Sequence, residues 1–293
     1  MIDFLKYRSF AAFLSLAITV SFIGACFYKS MHHGQVFNYS VDFTGGTQVF
    51  FKFDKPVSVY TVKEILESNG WSGAEAREFS PTEILVRVKE FSSDVKGFAV
   101  KMQQALEAGL PETKASILEN EAVGPAVGAT LRKDSTWAVF LALIAILLYI
   151  AIRFWSTAFA VGAIVALAHD PLIVLAIFLL FNREISVNVI GAILAVVGYS
   201  VNDTIVIFAK IRENLKTMRG HTLEYIVNTS INQTLRRTLL TSFATLLTVI
   251  ALFVLGGEAL RDLSLVLLVG IIFGTYSSIY IASPVMMLLY NKK

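Results

Sequence analysis

The chain has 293 residues, 55% of them hydrophobic and only 16% charged, and its mean hydropathy of +0.65 excludes an ordinary soluble protein. Its formal charge of +3 is unevenly held: residues 31–135 carry 11 Lys+Arg against 14 Asp+Glu, and the remainder carries 14 against 8. The basic excess therefore belongs to membrane-flanking segments and gives no footing for nucleic acid, while the lone Cys26 excludes an intrachain disulfide or a cysteine metal cluster.

Crossing a bilayer takes about 20 mostly apolar residues. Six stretches qualify as transmembrane helices: 10–29, 136–153, 157–180, 186–208, 238–256 and 263–290. The chain thus divides into 1–30, an amino terminus with the first span; 31–135, a water-soluble domain; and 136–293, spans two to six with a loop at 209–237.

Within the soluble domain the hydrophobic period switches are readable. Residues 47–53 alternate as a strand, and 58–69 follow a helical pattern with Val59, Val62, Ile65 and Leu66 on one face, ended by Asn69-Gly70. A short 74–79 strand, a Ser80-Pro81 turn and the 83–89 strand follow, with Ile84, Val86 and Val88 facing one way. A second helix runs from Ser92 or Ser93 to Leu106, stopped by Gly109 and Pro111, and 114–122 closes the domain as a strand. The order β-α-β-β-α-β predicts a ferredoxin-like α+β sandwich. It contains no nucleophile-base pair or metal-ligand cluster, since its two histidines, His32 and His33, sit beside the membrane; binding or mechanical coupling is the expected task, not catalysis.

Lys and Arg in short connections set orientation. Lys6 and Arg8, Arg153, the six basic residues of 209–237, and Lys292 and Lys293 fall on one side of a six-span chain, against Arg183 and Arg261 on the other. Both termini are expected in the cytoplasm and the 31–135 domain outside.

Two aspartates stand where lipid should be. An Asp at the centre of a spanning helix costs about 2.5–3.5 kcal/mol on insertion scales, so it belongs in a protein interior or on a water path. Asp203, between Asn202 and Thr204, lies roughly 9 Å inside the cytoplasmic end of span four, at the edge of a small-residue stripe of Asn188, Gly191, Ala195, Gly198 and Asn202 suited to close helix packing. Asp170 is deeper in span three, next to His169 and before a helix-bending Pro171. These groups either pass protons in steps or simply fix the bundle by hydrogen bonds. At the cytoplasmic start of span five, Arg236 and Arg237 are positive-inside anchors, one of them within reach of Asp203 as counter-ion. Residues 221–235 predict a helix lying on the cytoplasmic interface, and Gly270, Gly274, Ser277, Ser278, Ala282 and Ser283 give span six a tightly packing face.

Five blocks carry a resemblance: VDFTGGT (41–47), VGPAVGATLRKD (123–134), VNDTIVIFAKIREN (201–214), TLRRTLLTS (234–242) and GTYSSIYIASP (274–284). In this order they resemble the signature blocks of the SecF branch of the SecD/SecF family, within the resistance-nodulation-division superfamily. The resemblance implies a six-helix half of a pseudo-symmetric unit whose other half is a SecD-like subunit. It further implies a proton-driven auxiliary of the Sec translocase in the bacterial inner membrane, working on preproteins at the SecYEG channel after SecA, with YajC and YidC as further partners and no cofactor. Asp203 and Arg237 match the family's proton-linked pair, and Asp42, Gly45 and Gly46 match its signature turn. Ala209-Lys210 stands where the family has Asp-Arg, which removes an acid at the cytoplasmic mouth. A half-transporter for lipids or small molecules and a scaffold for other membrane subunits remain as rival readings; the first calls for a larger outer domain.

Overall fold

The computed structural model describes residues 1–290, with the backbone alone for His33, Glu258 and Ala259. Lys292, Lys293 and the His33 side chain, used above, lie outside the described residues. The chain forms two compact units, Tyr39–Thr136 and, around it in sequence, Met1–Asn38 with Trp137–Lys293.

The inserted unit begins with a single turn of helix, α2 (Val41–Thr44), numbered after the first span α1 (Arg8–His33). It continues as β1 (Gly46–Phe53), α3 (Val59–Ser68), β2 (Glu75–Ser80), β3 (Glu83–Val88), α4 (Val95–Gly109) and β4 (Ala115–Val123). The four strands form an antiparallel sheet in the order β2-β3-β1-β4. Period-two alternation puts Val49, Phe51 and Phe53 of β1 and Ile84, Val86 and Val88 of β3 on one face, where Val62 and Leu66 of α3 and Met102 and Leu106 of α4 complete the core. Asp94, not a serine, caps α4: its carboxylate accepts from the Gly97 amide at 2.9 Å, the register an N-cap needs.

Gly45 and Gly46 make the turn into β1. Their φ values of +73° and +114° lie where side-chain-bearing residues are strained, and a Cβ on Gly46 would collide with the Val88 carbonyl. A Cβ on Gly128 would in turn sit 3.2 Å from the Asp42 carbonyl, so the turn packs against the start of the next helix.

Six described helical stretches are long and apolar enough to cross a membrane, counting α1 with the short turn before it. They include α5 (Pro125–Phe154), α6 (Thr157–Leu180), α7 (Val187–Thr217) and α8 (Leu223–Leu255). The sixth is α9 (Gly257–Ser277), a π-helical segment at Ser278–Ala282, and α10 (Ser283–Leu289). Three are longer than hydropathy predicts: α5 starts at Pro125, α7 runs on to Thr217, and α8 begins at Leu223. The expected interfacial helix at 221–235 is therefore the first half of α8 itself. Hydropathy marks only the lipid-facing length, whereas backbone bonding continues until a breaker, and none interrupts Leu223–Leu255. α6 also stays helical through Pro171.

The interior is built from α6, α7 and the α9–α10 span, which bury far more of themselves than α1, α5 and α8. Glycines permit the close crossings: Gly270 and Gly274 of α9 lie against Val196 and Ser200 of α7, and Gly162 of α6 against the Ala282 carbonyl. The π segment precedes Pro284, whose missing N–H cannot serve the α-helical ladder, and Ser283 Oγ reaches back five residues to the Ser278 carbonyl at 3.0 Å.

Candidate functional site

Asp203 is 2% exposed, held by α7 at the centre of this bundle. Its carboxylate Oδ2 accepts from Thr275 Oγ1 of α9 at 3.3 Å; Thr275 in turn meets Ser242 Oγ of α8 at 2.9 Å, and Tyr199 OH donates to Ser242 at 3.4 Å. Three helices thus converge on one carboxylate through hydroxyls. Hydroxyls both donate and accept, so the row can reverse direction without moving a heavy atom.

One turn away, Asp170 and Ser200 are both fully buried, and Ser200 Oγ donates to Asp170 Oδ2. His169 Nδ1 stands 3.3 Å from Asp170 Oδ1, and its buried Nε2 has no hydrogen-bond partner among the described residues. Thr204 Oγ1 pairs with Ser278 Oγ at 2.8 Å, and Ser278 also approaches the Ser200 carbonyl at 3.4 Å. The two aspartates therefore occupy adjacent polar clusters, both resting on α7 and the turn 274–278.

Arg237 is exposed and closes no ion pair with Asp203, though it stands near enough to attract the carboxylate electrostatically. Arg236 is exposed as well, and so is Asn202 with the rest of its stripe. That stripe does not pack within the chain: Asn188, Gly191, Ala195, Gly198 and Asn202 are all exposed, and a Cβ on Gly191 or Gly198 would meet open space. In the other unit, Asp42 and the two turn glycines hold the junction of α2 with β1 and form no part of the buried clusters. No group of three or more metal-ligating side chains occurs among the described residues.

Sequence reasoning did not find Thr275, Ser242, Tyr199 or Ser200. A hydroxyl in an apolar helix is an ordinary packing residue; only its meeting with an acid from another helix gives it a role.

The C-terminal domain pattern of the protein export membrane proteins SecD/SecF matches residues 103–292, and the SecD/SecF GG motif matches 34–57. The chain belongs to the SecD/SecF family. It is 40% identical over 292 residues to the protein translocase subunit SecF of Thermodesulfovibrio yellowstonii, covering 98% of this chain and 94% of that one. It is also 42% identical over 266 residues to the protein translocase subunit SecDF of Thermus thermophilus, covering 88% of this chain but only 35% of that longer protein. The crystal structure of the Thermus SecDF, described as a translocon-associated membrane protein, superposes with a TM-score of 0.86 at 39% identity, over 99% of this chain and 39% of that one. Against SecDF, then, the chain spans little more than a third of the length. Its GG motif is the Gly45-Gly46 turn, and the C-terminal match takes in both buried aspartates.

Proposed function

We propose that the chain is the SecF-type subunit of a protein translocase: it couples proton movement through the membrane to the export of preproteins, and performs no covalent chemistry. The observation that carries this reading is Asp203, a buried carboxylate with a hydroxyl row on one side and, within electrostatic reach, Arg237, which forms no ion pair with it. Protonation of Asp203 cancels the attraction of Arg237, and the helices that share Thr275 and Ser242 repack. Moving one charge through 100 mV supplies about 2.3 kcal/mol, the scale of one ion-pair rearrangement. His169 and Asp170 extend the relay deeper, Thr204 ties α7 to the π segment, and Asn202 and Arg236 support it from the surface.

The open stripe on α7 supports a six-helix half that is completed by a SecD-like chain, as in a fused SecDF. Both termini lie in the cytoplasm of a bacterium, the outer unit lies across the inner membrane, and SecYEG, SecA, YajC and YidC are the wider assembly. The sheet order β2-β3-β1-β4 with two helices on one face supports reading the outer unit as a ferredoxin-like sandwich. This unit moves against the emerging chain.

Export of a preprotein into inverted vesicles, driven by an imposed proton gradient, tests this. Asp203→Asn abolishes the gradient-dependent part while the subunit still copurifies with its SecD-like partner; undiminished export overturns the reading.

A further inference from the structure

A second site lies where the amino terminus meets the start of α8. The segment Met1–Phe4 is strapped to α8 by two asparagines one turn apart. Asn232 Oδ1 accepts from the Ile2 amide at 2.8 Å and Asn228 Oδ1 from the Phe4 amide at 2.9 Å, while both side-chain amides donate to the Ile2 carbonyl at 2.8 and 3.0 Å. Arg8 is locked to Glu224 at 2.6 Å. These bonds hold open a cavity of about 620 Å³ at the foot of the first span, lined by Lys6, Arg8, Ser9 and Tyr225 among others.

Directly beside it runs a groove of about 450 Å³ with apolar walls from Ala12, Leu223, Pro284, Met287 and Leu288. Arg8, Ser9 and Glu224 line both, so the two spaces share one wall. Each falls in the size range of ligand pockets, about 300–1,000 Å³.

A polar chamber opening beside an apolar one at the start of a membrane span has the footprint of an amphiphile. We propose that it binds a membrane glycerophospholipid, its phosphate in the cavity and an acyl chain in the groove. Charge selects the headgroup. Of the cations lining the cavity Arg8 is held by Glu224, the Asp3 carboxylate accepts from the Lys6 backbone amide, and the Lys6 ammonium forms none of the ion pairs seen among the described residues, standing 6.0 Å from the Tyr7 ring. Lys6 Nζ and Ser9 Oγ are the phosphate donors. A soluble anion has no use for the apolar branch, and an uncharged glycolipid leaves Lys6 without a partner. The lipid joins α1, α8 and α10 at one point, and so tethers to the bilayer the helix that carries Arg237. This site is independent of the proton relay and stands or falls without it.

The test is native mass spectrometry of the full chain released from nanodiscs of phosphatidylethanolamine and phosphatidylglycerol. One phospholipid stays with each chain. Lys6→Glu, which reverses the cation, and Ala12→Trp, which fills the groove, each lower retention by about tenfold, in line with loss of one charge-assisted bond or of one buried chain segment. Both positions are exposed, so thermal melting stays unchanged. Equal retention in the variants and the parent overturns the proposal. So does equal retention of digalactosyldiacylglycerol from nanodiscs of that lipid, or release of the phospholipid by millimolar inorganic phosphate alone.

Discussion

Thr275 gives its hydroxyl to Asp203 at 3.3 Å while standing 2.9 Å from Ser242, so a single threonine on α9 links the buried acid of α7 to α8. Thr275→Val keeps the shape and removes this link. Gradient-dependent export in vesicles falls by about tenfold or more, the usual weight of a proton-transfer partner, and Thr275→Ser restores most of it. Equal rates for the valine and serine variants would remove Thr275 from the path.

Gly270 has no room for a methyl group, because its Cβ would overlap the Val196 side chain. Gly270→Ala destabilises the bundle by about 1–3 kcal/mol, the ordinary cost of overpacking, read as a lower melting temperature in detergent. Val196→Ala in the same chain recovers part of that loss, and the coupling appears as non-additivity in a double-mutant cycle.

Two glycines of the inserted unit with similar backbone angles separate strain from crowding. Gly46 and Gly70 have φ of +114° and +98°, yet only Gly46 faces a backbone atom, the Val88 carbonyl. Gly70→Ala costs about 1 kcal/mol or a little more from backbone strain. Gly46→Ala costs more and opens the β1–β3 pairing, seen as rapid proteolysis of the inserted unit in the intact chain while Gly70→Ala resists.

Glu121 on β4 is raised above the ordinary carboxylate range, first by partial desolvation of a side chain otherwise open to solvent, then by Glu119 and Asp42 nearby. A carboxyl raised in the folded state binds its proton more tightly folded than unfolded, so the inserted unit loses stability as pH rises through that range. Glu121→Gln is therefore more stable than the parent at neutral pH. The gap closes as pH falls below about 4, under the unfolded value, where the carboxyl becomes protonated in both states. Hydrogen exchange of β4 amides across that pH range measures it.

The elements of the inserted unit were legible because its strands and helices alternate between two clear periods: Ile84, Val86 and Val88 face the core as a period of two requires, and Val62 and Leu66 as one of 3.6 requires. Span ends were less so. Thr217 and Leu223 end and begin helices in polar sequence that hydropathy does not mark. The burial of Asp203 and Asp170 follows from the cost of charge in lipid, but their partners do not, because Thr275 and Ser200 are distant in sequence and chemically ordinary. The stripe on α7 was read as a packing face, and one chain alone gives it nothing to pack on.

The π segment at Ser278–Ala282 has a geometric consequence. Winding at five residues per bond offsets everything beyond it by about one residue, roughly 100° of azimuth. Uninterrupted α-helix would set Ala282 about 80° round from Gly274; with the offset the face that meets Ser200 at Gly274 and the one that meets Gly162 at Ala282 stand nearly in line. The last span thereby keeps one bearing along its whole contact length, meeting α6 and α7 both before the π segment and within it, so a torque on one half is delivered to the other along the same line.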